Sequence, residues 1–138
     1  MAEYTANLNR SEKKVEHGVY EVWINPSPNV TFDAQTISVT TEKTFDSFMY
    51  ECSDGTSSRV SIVGESGATA VPIYVTISTD GSIQTYQRNI SANKTSNGYN
   101  FVCTDCTRRR RTTDGTITDS TQNGTVIPLR IFGITHND

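Results

Sequence analysis

Apolar and polar residues alternate along much of this chain with a period of two. The cleanest case is Val71-Pro-Ile-Tyr-Val-Thr-Ile-Ser78. Val71, Ile73, Val75 and Ile77 share one face, and Pro72, Tyr74, Thr76 and Ser78 share the other. Successive side chains of a β-strand leave opposite faces of the sheet, so this period predicts a strand. The pattern recurs at residues 19–24, 30–41, 44–52, 59–63, 83–90 and 99–103. In the first of these Val19, Glu21 and Trp23 oppose Tyr20, Val22 and Ile24, and the single Trp is expected in the core. The densest apolar run comes last, at residues 126–134. Ile127, Leu129 and Ile131 fall on one face, and Phe132 and Ile134 lie with Arg130 on the other. Burying each such side chain stabilises by about 1.5–3 kcal/mol, so this strand should supply a large share of the core. Its partners must come from far earlier in the chain, which makes the fold non-local and late to close.

The breaks between these runs are turn-like. Asn25-Pro-Ser-Pro28 ends the first strand, because prolines cannot continue a ladder. Glu42-Lys43 reads as a tight turn that makes residues 30–41 and 44–52 a hairpin, and Asp80-Gly81 is a strong hairpin signal. Residues 53–58 and 64–67 read as loops, 104–115 as a charged loop, 116–118 as a short strand and 122–124 as a turn. Pro72 and Pro128 suit a strand start, an edge or a bulge. No stretch has a convincing helical pattern. The expectation is an all-β protein, an immunoglobulin-like antiparallel β-sandwich of about eight strands over residues 19–138. Residues 1–18 read as a polar N-terminal arm, in which Leu8, Ser11 and Val15 share a thin helical stripe. The arm is expected to be loose, or to order against a neighbouring subunit. Tyr4 and Leu8 are then candidate partner contacts, and self-association is compatible with the pattern.

Composition adds limits. A chain of 138 residues suits one domain with a real core. Its apolar fraction is 34% and Thr is its commonest residue, which points to a small core and a polar skin. A net charge of −3 disfavours a nucleic-acid partner. No apolar stretch approaches the ~18 residues of a membrane span, and none resembles a secretory leader. The chain is therefore expected to be made in the cytoplasm, without glycosylation at its Asn-x-Ser/Thr sites (Asn29, Asn89, Asn93, Asn123). An odd count of three cysteines disfavours a disulfide framework.

Candidate chemistry is sparse. Cys103-Thr-Asp-Cys106 has the spacing of a redox pair or of half a zinc site. A redox pair wants its first thiolate at a helix N-terminus, and here a strand precedes it. A zinc site would have to be completed from Cys52, His17 and His136. Structural cysteines and no cofactor are the expectation. Arg108-Arg-Arg-Arg111 concentrates positive charge in an acidic protein; such a run is solvated or meets an acidic neighbour. Arg108, Arg109, Arg110 and Arg111 are accordingly candidate partner-binding residues. Tyr74, Tyr86 and Tyr99 are the aromatics that a sugar-binding face would use, or else ordinary strand residues. No catalytic motif is present, and the chain reads as non-enzymatic.

The polar arm, the Thr/Ser/Asn-rich strands and the closing Val126-Ile-Pro-Leu-Arg-Ile-Phe-Gly-Ile134 resemble a small virion protein of a tailed bacteriophage. The closing strand is similar in style to those that end phage head and tail appendage domains. Residues 32–63 resemble immunoglobulin-like modules, BACON domains among them, of Bacteroidetes and their phages. They lack the tryptophan of those modules and a Gln-rich end. The resemblance implies an auxiliary or decoration protein of the virion, made in the host cytoplasm, whose partners are the major capsid protein or other virion proteins. Its alternative is a glycan- or receptor-binding appendage domain. It assigns no functional residue.

Overall fold

The computed structural model describes residues 12–136. They form three antiparallel sheets, and no helix occurs among them. The front sheet runs β1 (Lys13–Glu16), β2 (Val19–Ile24), β13 (Ile127–Ile134), β4 (Ser47–Ser53) and β5 (Arg59–Glu65). The back sheet runs β3 (Gln35–Thr40), β10 (Gly98–Cys103), β9 (Ile90–Lys94) and β6 (Thr69–Ala70). The outer sheet runs β12 (Ile117–Thr121), β11 (Thr107–Arg111), β8 (Ile83–Gln87) and β7 (Ile73–Ile77). The all-β sandwich read from the alternation is thus the observed architecture. Its described strands number thirteen rather than about eight, because long strands are broken at a shared bend.

The last strand is central. β13 lies between β2 and β4, with Ile131 opposite both Trp23 and Tyr50. Its register slips between Pro128 and Arg130 against β4, where the proline meets a bulge, and between Ile131 and Phe132 against β2. The second slip interrupts strict alternation, and Ile131 and Phe132 are both buried. On the solvent side Arg130 ties its neighbours together. Its guanidinium donates to both carboxylate oxygens of Glu51 at 3.1 and 3.0 Å and lies 3.7 Å from Glu21.

The core fills the gap between front and back sheets. Phe48 of β4 meets Tyr99 and Phe101 of β10 edge-on, at centroid distances of 4.8 and 4.9 Å. Phe45 caps the cluster, and its N–H donates to the Tyr99 hydroxyl at 3.0 Å. Gly133 makes room for it: a Cβ there would sit 2.6 Å from the Phe45 ring.

Three local expectations are corrected. Residues 30–41 and 44–52 do not form a hairpin, since β3 pairs with β10 and β4 with β13 and β5. The chain instead crosses between sheets there, because Phe45 is buried between them. The arm does not extend through residue 18: Lys13–Glu16 pairs with β2 through a turn at Gly18, and Val15 is a strand residue, not part of a helical stripe. Gly18 has φ of +77°, which favours glycine there, and its carbonyl accepts from Thr135 N–H at 2.9 Å. Tyr4 and Leu8 lie outside the described residues. Residues 104–115 are not a loop, because 107–111 form β11, paired on both sides.

The outer sheet continues the back sheet past a bend. β6 leads into β7 through residues 71–72, β8 into β9 through 88–89, and β10 into β11 through 104–106. β12 takes the place beside β11 that β3 holds beside β10. Tyr74 and Tyr86 pack their inner-face rings against the core, and the Tyr74 hydroxyl donates to Cys52 O and Ser58 O at 3.2 and 3.1 Å. Those contacts anchor the root of the outer sheet to the sandwich.

Candidate functional site

The bend contains a fully buried cation. Arg88 is 0% exposed. Its Nε donates to Val126 O at 2.8 Å, one terminal nitrogen to Thr104 O at 2.7 Å, and the other to Thr125 O at 3.4 Å. The guanidinium also lies 5.2 Å from the centre of the Phe32 ring. All its hydrogen-bond acceptors are carbonyls, and Val126 has φ of +50°, a strained conformation for a β-branched residue. Arg88 therefore clamps the turn that feeds β13. A lone arginine among polar residues carries no signal of burial in the sequence.

The cysteines surround this clamp. Cys52, Cys103 and Cys106 are free and buried. Burial pushes the Cys52 thiol up to about 12 and Cys103 up to about 11, while the nearby Arg88 charge opposes the rise. Cys106 is raised for the same reason. Protonated, inaccessible thiols are poor nucleophiles. Zinc completion also fails on position. Cys52 lies opposite Pro128 at one end of β13, whereas Gly18 and Thr135, next in sequence to His17 and His136, meet at the other end. Among the described residues no group of three His, Cys, Asp or Glu side chains is placed to hold a metal ion. Folded protein is expected to leave 5,5′-dithiobis(2-nitrobenzoate) unreacted in mildly alkaline buffer and to release all three thiols on denaturation. Immediate reaction of the folded protein would place a thiol at the surface.

The arginine run is resolved by strand geometry. Alternation sends Arg108 and Arg110 to the inner face of the outer sheet and Arg109 and Arg111 to its outer face. Arg109 chelates Asp119 on the neighbouring strand at 2.9 and 3.1 Å, and this hydrogen-bonded pair holds the Asp119 carboxyl below its ordinary range. Arg110 meets Asp80 of the β7–β8 turn at 3.2 Å. Asp80 also accepts from the N–H and hydroxyl of Ser82, at 2.9 and 2.7 Å, and these bonds lower its pKa. At the tip of the neighbouring hairpin Asp114 accepts from Thr112 and Thr116, which takes its pKa down to about 2. Buried Gln84 joins Ser78 and Ser82 beneath the β7–β8 turn. Both hairpins are thus closed by side-chain bonds as well as by their ladders.

The register defines what the outer face displays. Ile77, Ile83, Arg111 and Ile117 lie in one row across the four strands. Val75, Thr85, Arg109 and Asp119 form the next, and Ile73, Gln87, Thr107 and Thr121 the third. The large apolar members of this face are all exposed, from 42% for Ile83 to 74% for Ile77. The alternation in residues 71–78 was legible in the sequence, but its apolar side points to solvent. Ile73, Val75 and Ile77 are the functional candidates that sequence reasoning treated as ordinary strand residues. Ile73, Val75, Ile77 and Ile83 adjoin on β7 and β8, Arg111 separates them from Ile117, and exposed apolar side chains grouped in this way mark a candidate contact surface.

The tyrosines proposed for a sugar-binding face do not assemble into one. Tyr99 is 1% exposed in the core, and Tyr74 and Tyr86 lie half-buried on the inner face. Trp23, expected in the core, is half-buried and packs against the core's edge, where it meets Phe32 edge-on at 6.2 Å. It lines a cleft of about 350 Å³ with Gln35, Thr36 and Ser38. No protein-family model, curated protein or solved structure matches the chain.

Proposed function

We propose that this chain is a non-enzymatic structural protein of a virus particle, an auxiliary or decoration protein that docks on a tailed-phage capsid. It is made in the host cytoplasm and ends in the virion. The outer face of the outer sheet makes the contact, to the major capsid protein or another virion protein. The observation that carries this reading is the exposed apolar set Ile73, Val75, Ile77, Ile83 and Ile117, held on two braced hairpins. A rigid, pre-formed apolar face loses little conformational entropy on docking. Arg111, between Ile83 and Ile117 in the row, suits an acidic side chain on the partner.

Particles of a phage encoding this chain are expected to carry it, and recombinant protein should bind particles that lack it. Ile117→Lys, at a 55% exposed position, should weaken that binding by about tenfold or more and leave the circular dichroism unchanged. Purified particles without the chain would end the proposal.

A receptor- or glycan-binding appendage is the second reading, and the Trp23 cleft favours it. An indole beside amide and hydroxyl groups suits a sugar's apolar face and its hydroxyls. Trp23 is the only Trp, so its fluorescence reports the cleft directly. A glycan that binds there should shift the emission and lose its affinity in Trp23→Ala; a blank glycan array with unchanged emission would count against this reading.

A further inference from the structure

We propose that a second copy of this chain joins the free edge of β7, by antiparallel pairing about a twofold axis through Val75. This goes beyond the particle reading and does not depend on it.

Hydrogen-bond phase is the first support. Ser78 N–H donates to Ser82 O at 2.9 Å, and Arg88 N–H donates to Pro72 O at 3.4 Å. Both bonds obey the same register as the ladder between β7 and β8. In an antiparallel pair, residues that exchange bonds with the partner alternate with residues whose N–H and C=O point away. Positions 72 and 78 bond toward β8, so Tyr74 and Thr76 do too. The backbone groups of Ile73, Val75 and Ile77 point out from the edge. Among the described residues β8 is the only strand paired with β7.

The side chains are the second support. Edge strands are normally protected by charge, proline or shortness. β1 carries Lys13, Lys14 and Glu16; β5 carries Arg59 and Glu65; β12 carries Asp119; β6 has two residues. β3 is uncharged, but its Ile37 and Val39 are buried and its exposed side chains are polar. β7 alone among these edges is uncharged and presents exposed Ile and Val side chains.

Symmetry is the third. Ile-Tyr-Val-Thr-Ile has the same apolar spacing read in either direction. A twofold through Val75 sets Val75 against its own copy and Ile73 against Ile77 of the other copy. All three outward-pointing residues then find partners, two hydrogen bonds to each pair. Centring the axis on Tyr74 or Thr76 leaves one of the three unpaired. A self-complementary strand is what a closed dimer requires. The two outer sheets, each of four strands, would merge into one continuous sheet with a doubled apolar face.

Sedimentation of the full chain over a range of concentrations tests this, with two kinds of variant. Wild type is expected to reach a dimer. Val75→Pro removes an outward N–H and leaves the β8 ladder intact, and Val75→Lys sets like charges opposite each other. Each should raise the dissociation constant at least about tenfold, because the loss falls at the centre of the interface. Val75→Cys should form a covalent dimer on mild oxidation, since opposed Cα atoms of a hydrogen-bonded pair lie about 5.5 Å apart, within disulfide reach. Thr76→Cys should not, and the native cysteines are buried. Val75→Cys keeps the proposal testable should the proline variant fail to fold. A wild type that stays monomeric at every concentration would overturn it and leave the edge to an extended peptide of another protein. So would a dimer that survives Val75→Lys, or one that cross-links through position 76 and not 75.

Discussion

Arg88→Met is expected to lower folding stability by about 3–5 kcal/mol, a large part of the 5–15 kcal/mol typical of a domain. Hydrogen bonds from a charged donor contribute about 1.5–3 kcal/mol each, net of the desolvation of the groups that make them. Arg88 makes two short ones, to Val126 O and Thr104 O, and a longer one to Thr125 O. Methionine fills much of the volume and leaves those buried carbonyls without the donor. The lost clamp also frees the strained backbone at Val126, immediately before β13. Arg88→Lys should recover part of the loss, because one ammonium cannot reproduce the fork that reaches all three oxygens. The measurement is the urea midpoint, with the slope of the transition unchanged. A midpoint that does not move would mean that the carbonyls find other donors and that the bend is not held by this side chain.

Phe48→Ala should be comparably costly, about 3–5 kcal/mol. Phe48 is 0% exposed and contacts four rings: Phe45, Tyr50, Tyr99 and Phe101. It is where the front and back sheets touch, so the cavity cannot close without moving one sheet toward the other. Packed interiors relax only partly around such a loss. Phe48→Leu, which keeps most of the bulk, should lose much less. Equal losses for the two variants would indicate that ring–ring geometry and not volume holds the sheets together. The double variant with Arg88→Met would show whether bend and core unfold as one unit.

Much of the architecture was legible because alternation survives burial on one face. The strand at 19–24 forms where the alternation placed it, although the face it buries is that of Tyr20 and Val22 rather than that of Trp23, and Asp80-Gly81 closes the hairpin it signals. The dense run at 126–134 indeed lies at the centre of a sheet made from distant segments. Other readings failed for identifiable reasons. Glu42-Lys43 looks like a hairpin turn, but a crossing between sheets uses the same polar residues. Four arginines look like a loop, because alternation of charge with charge leaves no hydrophobic period to see. The pairing of two of them, Arg109 with Asp119 and Arg110 with Asp80, depends on residues brought in from the next strand and the next hairpin. The candidate surface was visible only as a strand. Nothing in Ile-Tyr-Val-Thr-Ile states which of its faces meets water.

By itself, the sequence determined the class of structure, the positions of most strands and that the last one pairs with segments far earlier in the chain. These follow from local rules: side-chain alternation, turn chemistry and the transfer of apolar groups from water. Only the tertiary structure decided which strands share a sheet, that Arg88 is buried, and that the apolar side of residues 73–77 is exposed. Those outcomes depend on register between segments far apart in the chain. A strand carries its two faces wherever it goes, but what lies against each face is set by its neighbours in space.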